Sequence, residues 1–171
     1  GGAGIASFAV NWADVTAKTD VDVIVGKNNY RANVLNINGE SIIDQYAKAT
    51  GGVGGVYTTG TNFAKVNAYD SVEVSANGMQ VVDDSVGSIV NTANITAHNI
   101  VSQVADSNGY GGALLDISPC ASMIKAKVGD EEQKAVTKVT IGGTWVVADD
   151  FNATTLHENY VDLENDAIKA S

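Results

Sequence analysis

The segment NWADVTAKTDVDV (residues 11–23) recurs as NFAKVNAYDSVEV (residues 62–74), so that the second copy starts 51 positions after the first. Asparagine, alanine and valine occupy matching places in both copies, and Phe63 stands where the first copy has Trp12. An internal period of this length is typical of repeat proteins, in which each unit buries its apolar face against the next. The chain is therefore expected to fold as a stack of similar units.

A second pair of repeats supports this expectation. The segment NINGESIIDQYAKATGGVG (residues 36–54) matches NITAHNIVSQVADSNGYGG (residues 94–112) at an offset of 58 positions. Isoleucine, glutamine, alanine and glycine recur in place between the two segments. Matching residues should therefore lie above one another in successive turns of the chain, about 4.8 Å apart.

A third, looser copy carries an insertion. Residues 126–128 repeat residues 64–66, and residues 139–141 repeat residues 72–74 at an offset that is five positions longer. The extra residues lie in the charged segment GDEEQKAVTK (residues 129–138), which is typical of an exposed loop. We divide the chain into three units of one domain, approximately residues 1–50, 51–108 and 109–171.

Apolar and polar residues alternate inside each unit. Ala13, Val15 and Ala17, for example, are separated by Asp14 and Thr16. Alternation with a period of two predicts β-strands with one buried face, and no long helical pattern interrupts it. Short strands in repeats of this length favour an all-β fold, a parallel β-helix (β-solenoid) with a narrow interior.

Two dipeptides favour an alternative. Asn38-Gly39 and Asn77-Gly78 are each flanked by apolar alternation, which is the strongest short signal for a β-hairpin. An antiparallel β-sandwich therefore stays open. In a solenoid the same dipeptides would form tight corners.

Composition excludes several classes of partner. The 171 residues carry a net charge of -10, and Arg31 is the single arginine, so the chain lacks the basic surface that nucleic acid or an anionic membrane requires. No apolar run approaches the ~20 residues that span a bilayer. Cys120 is the single cysteine, which excludes an internal disulfide. We expect a soluble segment that packing alone holds together, with no nucleic-acid partner and no membrane insertion.

Catalytic and metal-binding patterns are incomplete. His157-Glu158 begins like a zinc-protease helix, but Val161 stands where the second histidine is needed. Neighbouring acids such as Asp83-Asp84 and Asp149-Asp150 point to opposite faces of a strand. We therefore expect no catalytic, cofactor-binding or metal site. A polysaccharide lyase or hydrolase on the same scaffold is the alternative, and convergence of at least three acids in one groove would favour it: Asp83, Asp84, Asp106, Asp116, Asp149 and Asp150.

Four further residues have two interpretations each. His98 is expected in a surface turn rather than as a catalytic base, and Cys120 as a buried, unreactive thiol. Trp12 and Phe63 could form an exposed aromatic strip, but we expect them in the core because they recur beside buried valine and alanine.

The charged loop is the best candidate for a protruding contact. Its exposed residues are expected to be Asp130, Glu131, Glu132 and Lys134. Exposed end coils, with unpaired backbone groups, are expected to associate with other copies.

Most of the chain resembles the repeat of leukotoxin-type filamentous adhesins. The similarity lies in GGALLDISPCASMIKAKV (residues 111–128) and TKVTIGGTWVVADDFNATTLHENYVDLENDAIKAS (residues 137–171), with their DISP turn, TIGGTW strand and closing DAIKA. This resemblance implies a right-handed parallel β-helix, two-partner secretion, and a role in virulence at the bacterial or host cell surface. The chain would then be a non-catalytic segment of a rigid extracellular rod. Its expected partners are a host surface protein or glycan and the rest of the same long chain.

Overall fold

The computed structural model describes residues 2–78, 90–113 and 121–170, and these residues form six β-strands without a helix. The all-β prediction is confirmed. The strands are β1 (Gly2–Val25), β2 (Ala32–Asn77), β3 (Val90–Ala113), β4 (Ala121–Val128), β5 (Val136–Gly142) and β6 (Val147–Ala170).

The strands pair in parallel throughout the described residues. The order in the sheet is β1-β2-β3-β6, and β4 and β5 pair with β2. The long strand β2 has two pairing regions, because its first part pairs with β3 and its second part with β1. The antiparallel sandwich is therefore wrong for these residues.

The offsets between the sequence repeats equal the offsets between paired residues of neighbouring strands. Val21 pairs with Val72 between β1 and β2, and Gln45 pairs with Gln103 between β2 and β3. The third copy differs, since Val66 pairs with Ala126 rather than with Val128. A slip of two positions keeps every side chain on its own face, so alternation cannot reveal it.

The core lies between the two parts of β2, which face each other. Gln45 of the first part donates from Nε2 to the carbonyl oxygen of Asn67 in the second part at 2.6 Å. Packing between the two parts is close, because a Cβ added at Gly39 would lie 2.8 Å from Cγ2 of Val74. The buried apolar residues are mostly valine, isoleucine and alanine, as a narrow interior requires; those at 0–1% exposure include Ala47, Ala64, Val66, Ala68, Val72, Val74, Ile95, Val101 and Ala105.

The strands are longer than the predicted short strands. β2 runs for 46 residues, and the glycines of its first part continue the parallel pairing with β3. Gly39 is one of them, because it pairs with Ala97 inside the strand, so Asn38-Gly39 is not a corner. Asn77 ends β2 in parallel register with Gly142, and the nitrogen of Gly78 donates to the carbonyl oxygen of Gly142 at 2.7 Å. The Asn77-Gly78 dipeptide therefore follows the parallel pairing with β5 up to Gly78, the last described residue of this part of the chain.

Candidate functional site

An aromatic groove of about 380 Å³ lies on the outer face of β1, β2 and β4. Trp12 and Phe63 pair in register, with ring centroids 4.8 Å apart and ring planes at 32°. Trp12 is 62% exposed, so the expectation of a core pair is wrong. The reason is geometric: both rings alternate with inward alanines, Ala13 and Ala64, and must point outward. We define the aromatic groove by its lining residues, Trp12, Phe63, Ala64, Lys65, Ile124 and Lys125.

Apolar exposure continues from the groove along β1. Phe8 is 78% exposed and Val10 is 70% exposed, and both lie on the same strand face as Trp12. Single exposed apolar residues are ordinary, but a row that ends in an aromatic pair is typical of a binding surface. This row could be recognised in the sequence, because every second residue of the first repeat lies on the same face of β1.

Charged groups border the groove on one side. Nζ of Lys65 lies 3.2 Å from Oδ2 of Asp14, and Nδ2 of Asn67 donates to Oδ1 of Asp14 at 3.1 Å. These contacts link neighbouring strands on the outer face and hold Lys65 beside the aromatic rings. The arrangement combines flat apolar rings with hydrogen-bonding groups at the margin.

The predicted contact loop is shorter than expected and is built around Asp130. β5 begins at Val136, so the loop covers residues 129–135. Oδ1 of Asp130 accepts hydrogen bonds from the backbone nitrogens of Gln133 at 2.7 Å and Glu132 at 3.0 Å. The backbone bond from Gln133, with smaller contributions from the Tyr69 hydroxyl and Lys127, lowers the pKa of Asp130.

Asp130 therefore positions the loop, while its neighbours face solvent. Asp130 is half-buried, and the exposed side chains are those of Glu131, Glu132, Gln133 and Lys134. Gly129 has a φ of 66°, which lets the chain leave β4 sharply. The role of these residues as a contact stays a prediction.

The acids that could have formed a catalytic cluster lie apart where they are described. Asp150 pairs with Thr92 at the start of β3, whereas Asp106 lies fourteen residues further along that strand. Fourteen residues of extended strand span roughly 45 Å. Asp83, Asp84, Asp116 and also Cys120 lie outside the described residues.

The carboxylate of Asp106 is already engaged in an ion pair and a hydrogen bond. Asp106 is 3% exposed, and Nζ of Lys48 lies 2.5 Å from its Oδ2, while Nδ2 of Asn108 donates to Oδ1 at 2.7 Å. The hydrogen bond and the charge of Asp106 raise the pKa of Lys48. Among the described residues no three histidine, cysteine or acidic side chains come together as a metal site.

His98 and Glu158 form an outer-face pair that the sequence analysis missed. His98 lies inside β3 rather than in a turn, and its Nε2 is 3.0 Å from Oε1 of Glu158. The Tyr160 hydroxyl donates to Oε2 of Glu158; this bond first, and His98 second, lower the pKa of Glu158. The β3–β6 register pairs His98 with Leu156, so Glu158 is two residues further on the same face.

A polar cleft of about 310 Å³ lies between β5 and β6. We define it by its lining residues Ala135, Thr137, Thr155 and His157. Oγ1 of Thr137 is buried without a hydrogen-bond partner. His157 pairs in register with Asn99 of β3, so the cleft lies one strand beyond buried polar residues of the core.

Comparisons with known proteins add no assignment. Neither a family model, nor a curated protein, nor a solved structure matches the chain. In the part of the chain that is described, no helix has the length and apolar character to cross a membrane. The geometry of the surfaces described above is therefore the basis for inferring a function.

Proposed function

We propose that the chain is a segment of a right-handed parallel β-solenoid, a rigid extracellular rod that binds rather than catalyses. Long parallel strands in register support this, because a continuous ladder of backbone hydrogen bonds resists bending. The outward side chains are then free to form recognition surfaces. In this fold the two facing parts of β2 are successive sides of the coil.

The aromatic groove is the proposed binding surface. Its supporting observation is the outward pair of Trp12 and Phe63, 4.8 Å apart on neighbouring strands. The apolar face of a sugar ring can pack on such rings, while Lys65 and Asp14 at the margin can bind its hydroxyl groups. We propose a glycan of the host cell surface as the ligand.

The proposed parent protein is a filamentous adhesin or leukotoxin of the two-partner-secreted kind. The resemblance of residues 111–128 and 137–171 to that family supports this proposal. The segment would be displayed outside the bacterium, with the rest of the same chain continuing the rod. Its role in virulence would be attachment to host cells.

Binding of the labelled segment to epithelial cells and leukocytes tests the proposal. We expect the wild type to bind, Trp12→Ala with Phe63→Ala to bind at least about tenfold more weakly, and enzymatic removal of cell-surface glycans to abolish binding. Ile24→Ala is the matched control, because Ile24 is an apolar residue on the same face of β1 with 76% exposure.

Equal binding by the double variant and the wild type would contradict the groove as the binding surface. A release of reducing sugar when the segment is incubated with acidic polysaccharides would favour the enzyme instead.

A further inference from the structure

Four polar side chains interrupt the apolar core at one level. Oγ1 of Thr19 donates to Oδ1 of Asp70 at 2.5 Å and lies 2.9 Å from Oγ of Ser41. Thr19 and Asp70 are register partners between β1 and β2, and Ser41 and Asn99 are register partners between β2 and β3. Because Thr19 and Ser41 meet across the core, their partners Asp70 and Asn99 face each other one strand further on.

The second pair, Asp70 and Asn99, has polar atoms that form no hydrogen bond. Asp70 is 1% exposed and Asn99 is 0% exposed. Oδ2 of Asp70 and both side-chain atoms of Asn99 have no hydrogen-bond partner. Burying such groups without partners costs several kcal/mol, and more for a charged carboxylate, so a partner is expected. Within the described residues, the ion pairs of lysine and histidine all go to other acids.

We propose that Asp70 and Asn99 bind a buried hard cation, Ca²⁺ or Na⁺, between β2 and β3. Oδ2 of Asp70 and Oδ1 of Asn99 supply the first ligands, and the hydroxyl oxygens of Thr19 and Ser41 lie in the same polar cluster. Carboxylate, amide and hydroxyl oxygens are ligands that hard cations prefer. The positive charge would offset the carboxylate that no side chain neutralises.

The polar cleft lies one strand beyond this site. Asn99 pairs with His157, which lines the cleft. Ser71, which follows Asp70, pairs with Val136, and Ala135, another lining residue, precedes Val136 at the end of the loop. The proposal concerns the stability of the rod and does not depend on its binding function.

Thermal unfolding of the full chain, after treatment with a chelator, tests the site. We compare CaCl₂, NaCl and choline chloride at equal ionic strength, and measure bound metal by mass spectrometry after dialysis. We expect the wild type to retain a stoichiometric cation and to melt at a higher temperature in CaCl₂ or NaCl than in choline chloride. The salt that gives the larger shift identifies the ion.

Asp70→Asn keeps the side-chain shape and removes the charge. We expect it to lose the cation dependence, with an apparent affinity for Ca²⁺ that is at least about tenfold weaker. Asp22→Asn, an exposed position on β1, is the matched control and should keep the wild-type response.

Three outcomes would overturn the proposal. The first is a wild type whose stability and metal content are indifferent to the cation. The second is an Asp70→Asn variant that is more stable than the wild type in every salt, which would indicate an uncompensated or protonated carboxyl group. The third is a bound cation that His157→Ala removes and Asp70→Asn retains, which would assign the metal to the cleft alone. If Asp70→Asn does not fold, the effect of the different cations on the stability and metal content of the wild type still tests the proposal.

Discussion

Nε2 of Gln103 donates to Oε1 of Gln45 at 2.9 Å, so two residues 58 positions apart form one step of an amide ladder in the core. Gln45 in turn donates to the carbonyl oxygen of Asn67, and Gln103 donates to that of Lys127 at 3.0 Å. The ladder thus joins neighbouring strands and also the two facing sides of the core. Buried amides of this kind specify one register, because a slipped strand would leave them without partners.

Replacement of Gln103 by methionine should destabilise the fold while keeping its volume. Methionine cannot donate, so Oε1 of Gln45 and the carbonyl oxygen of Lys127 lose a donor. We expect a loss of about 1–3 kcal/mol in the free energy of unfolding, measured by urea denaturation. Ser102→Ala, on the outer face of the same strand, should change it by less than about 0.5 kcal/mol. If Gln103→Met is as stable as the wild type, the ladder contributes packing only.

Gly39 lies where the facing strands pack closely together, and it should not tolerate a side chain. A Cβ at this position would lie 2.8 Å from Cγ2 of Val74 and 3.1 Å from Cγ1 of Val72. We expect Gly39→Ala to cost about 1–3 kcal/mol through overpacking. In a double-mutant cycle, Gly39→Ala with Val74→Ala should cost less than the sum of the single variants, because the smaller side chain makes room. Strictly additive costs would mean that the strands simply move apart.

The sequence predicted register better than it predicted boundaries. The identical residues at Val21 and Val72, and at Gln45 and Gln103, were sufficient to pair the strands, because parallel stacking places like residues together. The length of β2 could not be predicted from Gly39, since a glycine that a turn needs and a glycine that close packing needs look alike in sequence.

The candidate sites were less predictable for a different reason. Residue parity alone places Trp12 outside, but its recurrence beside buried valine and alanine favoured the core. Asp70 and Asn99 face each other only because β2 bends at a particular point. The repeat offsets carry no information about the position of that bend. Pairs within one sheet could therefore be predicted, whereas pairs across the core could not.

Protonation of Asp130 should release the loop at low pH. Its folded pKa lies below the ordinary 3.8 because the backbone of Gln133 donates to it. The stabilisation is therefore complete above pH 3.8 and is lost as the pH falls through the lowered pKa. A carboxyl titration by NMR should give Asp130 a midpoint below 3.8. A midpoint at or above that value would show that the loop hydrogen bonds are absent in solution.

The tyrosine that contacts this loop should report the same interaction. A hydrogen bond to Asp130 raises the pKa of Tyr69 above its ordinary 10.0. We expect Asp130→Ala to bring the Tyr69 midpoint back towards 10.0 in an ultraviolet titration, with Tyr69→Phe used to assign the signal. Glu131→Ala, which alters an exposed neighbour, should leave the Tyr69 midpoint as in the wild type. An unchanged midpoint in Asp130→Ala would contradict the contact.

The two ends of the strand stack differ in polarity in the middle of their inward rows, which predicts how copies associate. At the β1 edge the inward row contains Val15, Val21 and Val23, which are only half-buried. At the β6 edge the middle of the inward row, Thr155, His157 and Asn159, is polar and exposed, and the apolar residues Phe151, Val161 and Leu163 lie on either side of it. Apolar side chains beside an unpaired strand edge favour pairing with another chain, whereas polar ones oppose it.

We therefore expect self-association through the β1 edge. Light scattering should give a mass that rises with protein concentration, and hydrogen exchange at high concentration should show added protection in β1 and in the first part of β2. The β6 amides, which are the internal control, should exchange at the same rate at every concentration. A monomeric mass at all concentrations would contradict self-association. Added protection in β6 alone would mean that backbone pairing, rather than the burial of the apolar row, determines which edge associates.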